Sequence, residues 1–357
     1  MKKIGILTGG GDCPGLNAVI RAVVRTAAHQ YGWQCLGYRD GYRGLVLGQA
    51  MELTYDGVSG LLDKGGTILG TSNRDNPFHF RGADGALKDM SGQALENLAR
   101  DRVEALVVIG GDGTMTGAER FSQLGLPIIG VPKTIDNDLL HTDFTFGFHT
   151  AVDTATEALD RLHTTAESHH RLMVMEVMGR YAGWIALHAG LAGGADVILL
   201  PELAYDTAQV VAAIEARRRW GRHYSIIVVS EGVRPQGGEL VTRGLVPDSP
   251  DPLRLGGVGG VIAGRLEQLT GVESRSMVLG HLQRGGRPIP FDRILATRFG
   301  AAAVAALAAG KSGSMVALQG NDIVDVPLGE VAGKQKLVTM DHPLITLGRG
   351  LGVCFGD

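Results

Sequence analysis

The run PKTIDND, residues 132–138, sets a lysine and a hydroxyl beside two carboxylates two residues apart, directly after the apolar stretch PIIGV (127–131). Carboxylates this close raise one another's proton affinity, which suits one of them to taking a proton from an alcohol. A polar turn is the plainer use of the same residues. A second cluster, Gly110-Gly111-Asp112-Gly113-Thr114, follows the apolar run ALVVI (105–109). Its aspartate can hold Mg2+ while the glycines leave room for polyphosphate, and it can equally cap the next helix. A third, GGGDCPG (9–15), lets backbone N–H groups approach an anion ahead of a helix N-terminus. It serves as well for a tight strand–helix turn, since it has neither the dinucleotide GxGxxG spacing nor the Lys-Ser/Thr of a Walker A loop. Three acidic or glycine-rich strand ends in one chain tip the balance toward a metal–phosphate site.

Cations come later in the chain. Arg180 in MGR and Arg284 in LGHLQRGG each stand beside a strand end or a glycine turn, and Arg171 and Arg275 immediately precede apolar runs. Guanidinium forks of this kind suit a phosphate ester held at two or more points. Any single arginine is more often a surface charge, so only the set carries weight. His281 is a lone histidine, for which a satisfied structural role is the plain alternative. His169-His170 lacks helical ligand spacing and is assigned no metal.

These groups need elements to place them. KIGILT (3–8) reads as a short buried strand, and after its glycine turn Leu16, Val19, Ile20, Val23, Val24 and Ala27 recur at helical spacing. The pattern returns at 105–109, with a helix-like TGAERFSQL after the glycines, and again at 127–131. LMVMEV (172–177), DVILL (196–200), YSIIVVS (224–230) and SMVLG (276–280) are further buried-strand candidates. Short apolar strands alternating with helices predict an α/β protein with parallel sheets wrapped by helices on both faces, and this many strands predict two such layers. In open sheets of this kind, ligands bind beyond the carboxyl ends of the strands, where every polar cluster above falls. The stretch 232–260, rich in glycine and proline, reads as a long connection.

Composition sets the outer bounds. The chain has 357 residues, which is ordinary for two domains, with 44% hydrophobic and 20% charged residues, as in a globular protein with a sizeable core. A net charge of −3 gives no electrostatic case for nucleic acid or anionic membrane as partner. No apolar run approaches a membrane span, and the apolar stretch near the N-terminus is too short for a signal peptide. Cys13, Cys35 and Cys354 are too scattered for a disulfide framework or metal knuckle and read as reduced cytosolic thiols. The 54 glycines gather after apolar runs, as phosphate-binding turns do.

The motifs GGGDCPGLN, GGDGT, PKTIDNDL, HHRLMVMEVMGRYAGW, PE, SEG and LGHLQRGGRPIPFDR, in that order, resemble the 6-phosphofructokinases from the first strand to at least Gly310. From about Ser312 the match is weaker. The resemblance implies two Rossmann-like three-layer domains with mainly parallel sheets and an active site in the cleft between them. Residues 1–147 plus about 283–333 would form a larger domain binding ATP and Mg2+, and 148–282 plus about 334–357 a smaller domain binding fructose 6-phosphate. The implied reaction is phosphorylation of the 1-hydroxyl to give fructose 1,6-bisphosphate, a step of glycolysis in the cytoplasm.

Carried over residue by residue, the resemblance makes Asp136 the general base, supported by Thr134 and Asp138, and Asp112 the Mg2+ ligand. It lines the donor phosphates with Gly11, Arg74, Gly111, Asp112, Gly113 and Thr114, and sets Tyr42 beside the base. Arg180 would stabilise charge on the transferred group. Thr134, Ile135, Met178, Gly179, Glu231, His281, Leu282, Gln283 and Arg284 would hold the sugar phosphate. Arg171 and Arg275 match positions that the family supplies from a neighbouring subunit, implying a homotetramer. A non-catalytic metabolite-binding subunit of the same fold would have lost the base, and both Asp136 and Asp112 are present. Lipid and NAD kinases share a GGDGT-like loop but lack PKTIDND and LGHLQRGG.

The donor is the open point. Pyrophosphate users of the family typically carry Asp and Lys at the positions of Gly113 and Lys133, whereas ATP users of the well-known bacterial type carry Gly at both. This chain is mixed. An aspartate at 113 would put a side chain and a negative charge where the α-phosphate of ATP lies, while Lys133 tolerates either donor, so Gly113 points to ATP. Arg21 and Arg25, and Arg222 in part, match the family's effector site. Asp56, His163 and Trp220 replace cations there, which implies weak or altered regulation.

Overall fold

The computed structural model describes residues 2–82, 84–245 and 253–357. By its internal contacts the chain divides into two compact units. The first comprises Met1–Ile135, Leu139–His149 and Arg284–Gln335. The second comprises Asp136–Asp138, Thr150–Gln283 and Lys336–Asp357.

The first unit is built on a seven-stranded sheet. Its order is Asp322–Pro327, Ser314–Gln319, Ile128–Pro132, Ala105–Gly110, Lys3–Thr8, Gln34–Tyr38 and Ala50–Leu53. The five inner strands are parallel, and only the two edge strands run antiparallel to their neighbours. Lys3–Thr8 and Ala105–Gly110 are buried almost throughout, which is why they read as unbroken apolar runs rather than as alternation. The register pairs Thr8 with Ile109 and Gly110 with Pro132. Three predicted strand–turn clusters therefore leave the sheet at one edge. The core includes Leu7, Leu106, Val108, Ile128, Met115 and Phe121. Phe121 is wholly buried against Phe78 and Tyr42, with ring centroids 4.9 and 5.9 Å apart, and truncating such a side chain costs about 3–5 kcal/mol.

The second unit holds a four-stranded, all-parallel sheet in the order Ser274–Val278, Leu172–Val177, Ser225–Ser230, Val197–Leu199. Leu172, Val174, Leu199, Ile227 and Val229 pack with Ile262 and Leu266 of the helix Val258–Thr270. Val177 pairs with Ser230, and Glu176 with Val278, so the MGR, SEG and LGHLQR runs also emerge at one edge. Glu176 is buried and takes the N–H groups of Gly257 at 2.9 and 3.0 Å and of Gly259 at 2.8 Å. Its carboxylate thus sits at the N-terminus of the helix Val258–Thr270, where unpaired N–H groups and the helix dipole favour a negative charge.

The predicted strands lie within a residue or two of those observed. The stretch 232–260 carries more than a connection: Thr242–Leu245 pairs antiparallel with Leu253–Leu255, and the helix from Val258 begins inside it. Its part 246–252 lies outside the described residues. The edge strands Ala50–Leu53 and Asp322–Pro327, and the inner strand Gln34–Tyr38 beside the first of them, were not among the predicted strands, because partly exposed strands do not need a continuous apolar run.

Candidate active site

In the first unit, the glycine turn after Thr8 is locked to the loop after Gly70. Gly10 N–H donates to the Ser72 carbonyl at 2.9 Å, Thr71 Oγ1 to the Gly10 carbonyl at 2.6 Å, and Thr8 Oγ1 to the Gly70 carbonyl at 2.7 Å. Ser72 Oγ in turn donates to the Asp75 carboxylate. Thr114 explains two glycines at once: a Cβ on Gly9 would come within 2.6 Å of its Oγ1, and one on Gly110 within 2.3 Å of its Cβ. A Cβ on Gly11 would meet Arg284 Nη1 at 2.7 Å. Gly113 differs from all of these. It is exposed, its φ is not left-handed, and a Cβ there would meet nothing within 4 Å. Among the described residues no neighbour requires glycine at 113.

Asp112 opens the helix Asp112–Gln123, and its Oδ1 accepts the Gly333 N–H at 2.6 Å. Burial pushes its carboxyl above the usual range, with that N–H opposing. Among the described residues no group of three or more His, Cys, Asp or Glu could hold a metal. A lone half-buried carboxylate at a strand end fits Mg2+ well, because that ion keeps several waters and is commonly held by one or two carboxylates plus substrate phosphates. Lys133 is buried beneath the glycine turn, its ammonium donating to the Gly11 carbonyl. Thr134 and Ile135 are buried, and the Thr134 carbonyl accepts Thr145 Oγ1 at 2.7 Å.

Two further residues of the expected site are held within the first unit. Tyr42 is buried, and its hydroxyl donates to the Thr114 carbonyl at 2.8 Å, bracing the first turn of the helix from behind. Arg284, expected with the sugar phosphate, belongs to the first unit, where its Nη1 donates to the Asp12 carbonyl at 3.2 Å. Arg74 is exposed on the loop after Gly70. Thr71 and Ser72, which hold that loop to the glycine turn, went unpredicted, although a polar run after a glycine was a signal available in the sequence.

In the second unit, Asp136, Asn137 and Asp138 form a turn in which Asn137 has φ +51°. Gly179 has φ +134°, and a Cβ there would strike Ser230 Oγ at 2.4 Å, so only glycine fits between Met178 and Arg180. Ser230 Oγ donates to the Gly179 carbonyl at 2.8 Å, and Glu231 N–H to the Val177 carbonyl at 2.9 Å, tying the SEG run to the MGR run. Arg180 Nη2 donates to the Leu253 carbonyl at 2.8 Å. Gln283 is fully buried and acts as a brace: its Oε1 accepts the Met178 N–H at 3.4 Å and its Nε2 donates to the Gly280 carbonyl at 3.1 Å. His281 and Leu282 are exposed. Arg171 and Arg275 both reach Glu273, Arg171 Nε at 2.8 Å, and the Arg171 contact leads in holding that carboxyl below its usual range.

Residues of the implied effector site are separated by unit. Arg25 lies in the first, its guanidinium 4.6 Å from the centre of the Tyr55 ring. In the second, His163 Nε2 bonds the Gly193 carbonyl at 2.7 Å and Trp220 is 83% exposed.

A family model described as phosphofructokinase matches residues 3–307. The ATP-dependent 6-phosphofructokinase 2 of Clostridium perfringens is 54% identical over 100% of this chain and 99% of its own length. The pyrophosphate–fructose 6-phosphate 1-phosphotransferase of Streptomyces coelicolor is 52% identical over 99% of this chain and 100% of its own. Among solved structures, Pichia pastoris phosphofructokinase in the T-state matches with a TM-score of 0.79 and 35% identity, covering 92% of this chain. The chain spans 35% of the length of that protein.

Proposed function

The chain belongs to the phosphofructokinase family, and from that premise we propose that it transfers the terminal phosphoryl group of ATP to the 1-hydroxyl of fructose 6-phosphate. The observation that carries the choice of donor is the open surround of Gly113. Packing does not require glycine there, so its presence is best explained by what must lie against it, the α-phosphate of a nucleotide. An aspartate would be tolerated by the protein and would repel that phosphate.

Asp136 takes the proton of the sugar hydroxyl as its oxygen attacks the terminal phosphorus, and ADP leaves. Thr134 and Asp138 support the base, and Arg180 compensates charge on the transferred group. Such a transfer needs positioning and charge compensation more than covalent help from the protein. Asp112 would hold Mg2+, which when bound supplies charge neutralisation on the donor phosphates. Gly11, Gly111, Gly113 and Thr114 leave the donor its space, while Met178, Gly179, Glu231 and His281 take the sugar phosphate. Residues 1–147 with 283–333 form the donor-binding part and 148–282 with 334–357 the acceptor-binding part. Arg171 and Arg275 serve a neighbouring subunit of a homotetramer, and weak or altered effector control follows from Asp56, His163 and Trp220. The enzyme acts in the cytoplasm, as the resemblance implies; among the described residues no helix is long and apolar enough to cross a membrane.

A second reading, transfer from pyrophosphate, is favoured by Lys133 and by the 52% identical pyrophosphate enzyme. Steady-state kinetics with each donor at matched Mg2+ decides between them. Turnover with ATP and little with pyrophosphate is expected; turnover with pyrophosphate alone would overturn the reading.

A further inference from the structure

The chain after residue 333 carries none of the chemistry-bearing motifs, yet within the second unit it reaches back to one of them. Lys336 donates its backbone N–H to the Asp138 carbonyl at 2.8 Å and its ammonium to Asn137 Oδ1 at 3.1 Å, 199 positions earlier in the sequence. Asn137 is in the left-handed region, which asparagine enters more readily than most residues other than glycine and which a side-chain contact can fix. Lys336 is one holder the structure provides.

Lys336 is itself braced. Its carbonyl accepts the indole N–H of Trp184 at 2.8 Å, and its ammonium lies 5.5 Å from the centre of the Trp184 ring. Two residues on, Val338 N–H donates to Glu202 Oε1 at 2.9 Å, an oxygen that also accepts the Gly183 N–H at 2.9 Å. Trp184 closes the GRYAGW run and Glu202 belongs to the PE pair, and the reaction assigns neither of these two residues any chemistry. Both are explained if their task is to seat residues 336–338.

We propose that Lys336 is a positioning residue for phosphoryl transfer, fixing the Asn137–Asp138 turn and through it the direction in which Asp136 presents its carboxylate. The inference rests on Asp136 acting as the base of the proposed kinase. Misplacing a reacting group by about 1 Å can lower a rate on the order of a hundredfold, while substrate binding, which uses other contacts, changes little.

The test is steady-state kinetics of Lys336→Met, Lys336→Arg and the control Lys334→Met, whose ammonium reaches only the Gly329 carbonyl. Expected for Lys336→Met is a fall in kcat of about tenfold to a hundredfold with the KM for fructose 6-phosphate within about threefold. Lys336→Arg, which can still donate to Asn137, should recover most of the loss, and Lys334→Met should match wild type. A kcat for Lys336→Met within about twofold of wild type, or an equal loss in Lys336→Arg, overturns the proposal. If Lys336→Met fails to fold, Trp184→Phe removes the indole N–H bond to Lys336 and shrinks the ring beneath its ammonium; a lowered kcat at constant KM then supports the proposal, and an unchanged kcat overturns it. Wild-type protein without turnover on either donor would sink the kinase reading instead, so the two failures are distinguishable.

Discussion

The ammonium of Lys133 donates to the carbonyl oxygen of Gly11, from a side chain 3% exposed beneath the glycine turn. Under the proposed function the turn lines the donor phosphates, and a buried cation beneath it acts on any anion bound above, whatever lies farther along the donor. Lys133→Met should therefore lower kcat/KM for ATP and for pyrophosphate by similar factors, about tenfold or more. Loss with one donor alone would show that Lys133 selects rather than attracts.

Gly113→Asp should behave in the opposite way. The position is exposed and open, and an aspartate in the first turn of a helix is favourable to the dipole, so stability should change by less than about 0.5 kcal/mol. With ATP, juxtaposed like charges costing several kcal/mol predict a fall in kcat/KM of about a hundredfold, with pyrophosphate use affected far less. Parallel kinetics with both donors, alongside urea unfolding, check both halves.

Asp136→Asn should lower kcat by about 10²–10⁴-fold, the usual reach of a positioned general base, with a modest change in the KM for fructose 6-phosphate. A near-normal kcat would remove Asp136 from the role of base.

Glu176→Gln tests what holds the second unit together. The amide would turn an NH2 toward the N–H groups of Gly257 or Gly259, leaving a buried donor unsatisfied at a helix N-terminus. A loss of about 1–3 kcal/mol in urea unfolding is expected.

His188 makes a prediction about pH. Burial, helped by the nearby His342 and Lys336 charges, lowers its pKa to about 4 from an ordinary value of 6.5. The unfolded chain therefore binds a proton that the folded chain refuses between these values. Its contribution to stability is intact above about pH 6.5 and is lost as pH falls toward 4. His188→Gln should lose less stability than wild type between pH 7.5 and 5, as read from urea midpoints; equal losses would contradict this assignment.

Strands such as Lys3–Thr8, Leu172–Val177 and Ser225–Ser230 were legible because a strand buried on both faces must be apolar at every position, and that demand is local. The glycine turns were legible for the same reason, since a close approach or a left-handed φ excludes a side chain whatever the rest of the fold does. The edge strand Asp322–Pro327 was not, because its half-exposed face accepts aspartates that break the pattern.

The site divides along the same line. The amino-acid sequence by itself supplied the parts proposed for phosphoryl transfer: Asp112, Lys133, Asp136, Asp138, Arg180 and the glycines around them, each marked by its immediate neighbours. Only the tertiary structure decided which residues around those parts brace the backbone. Tyr42 and Gln283 are turned inward onto backbone groups, and Lys336 is carried back to a turn 199 residues away. The physical reason is one of range. Apolar period and turn chemistry act over a few residues and leave their mark in the local sequence. A hydrogen bond between distant residues is set by how strands and helices pack, and no short stretch of sequence encodes it.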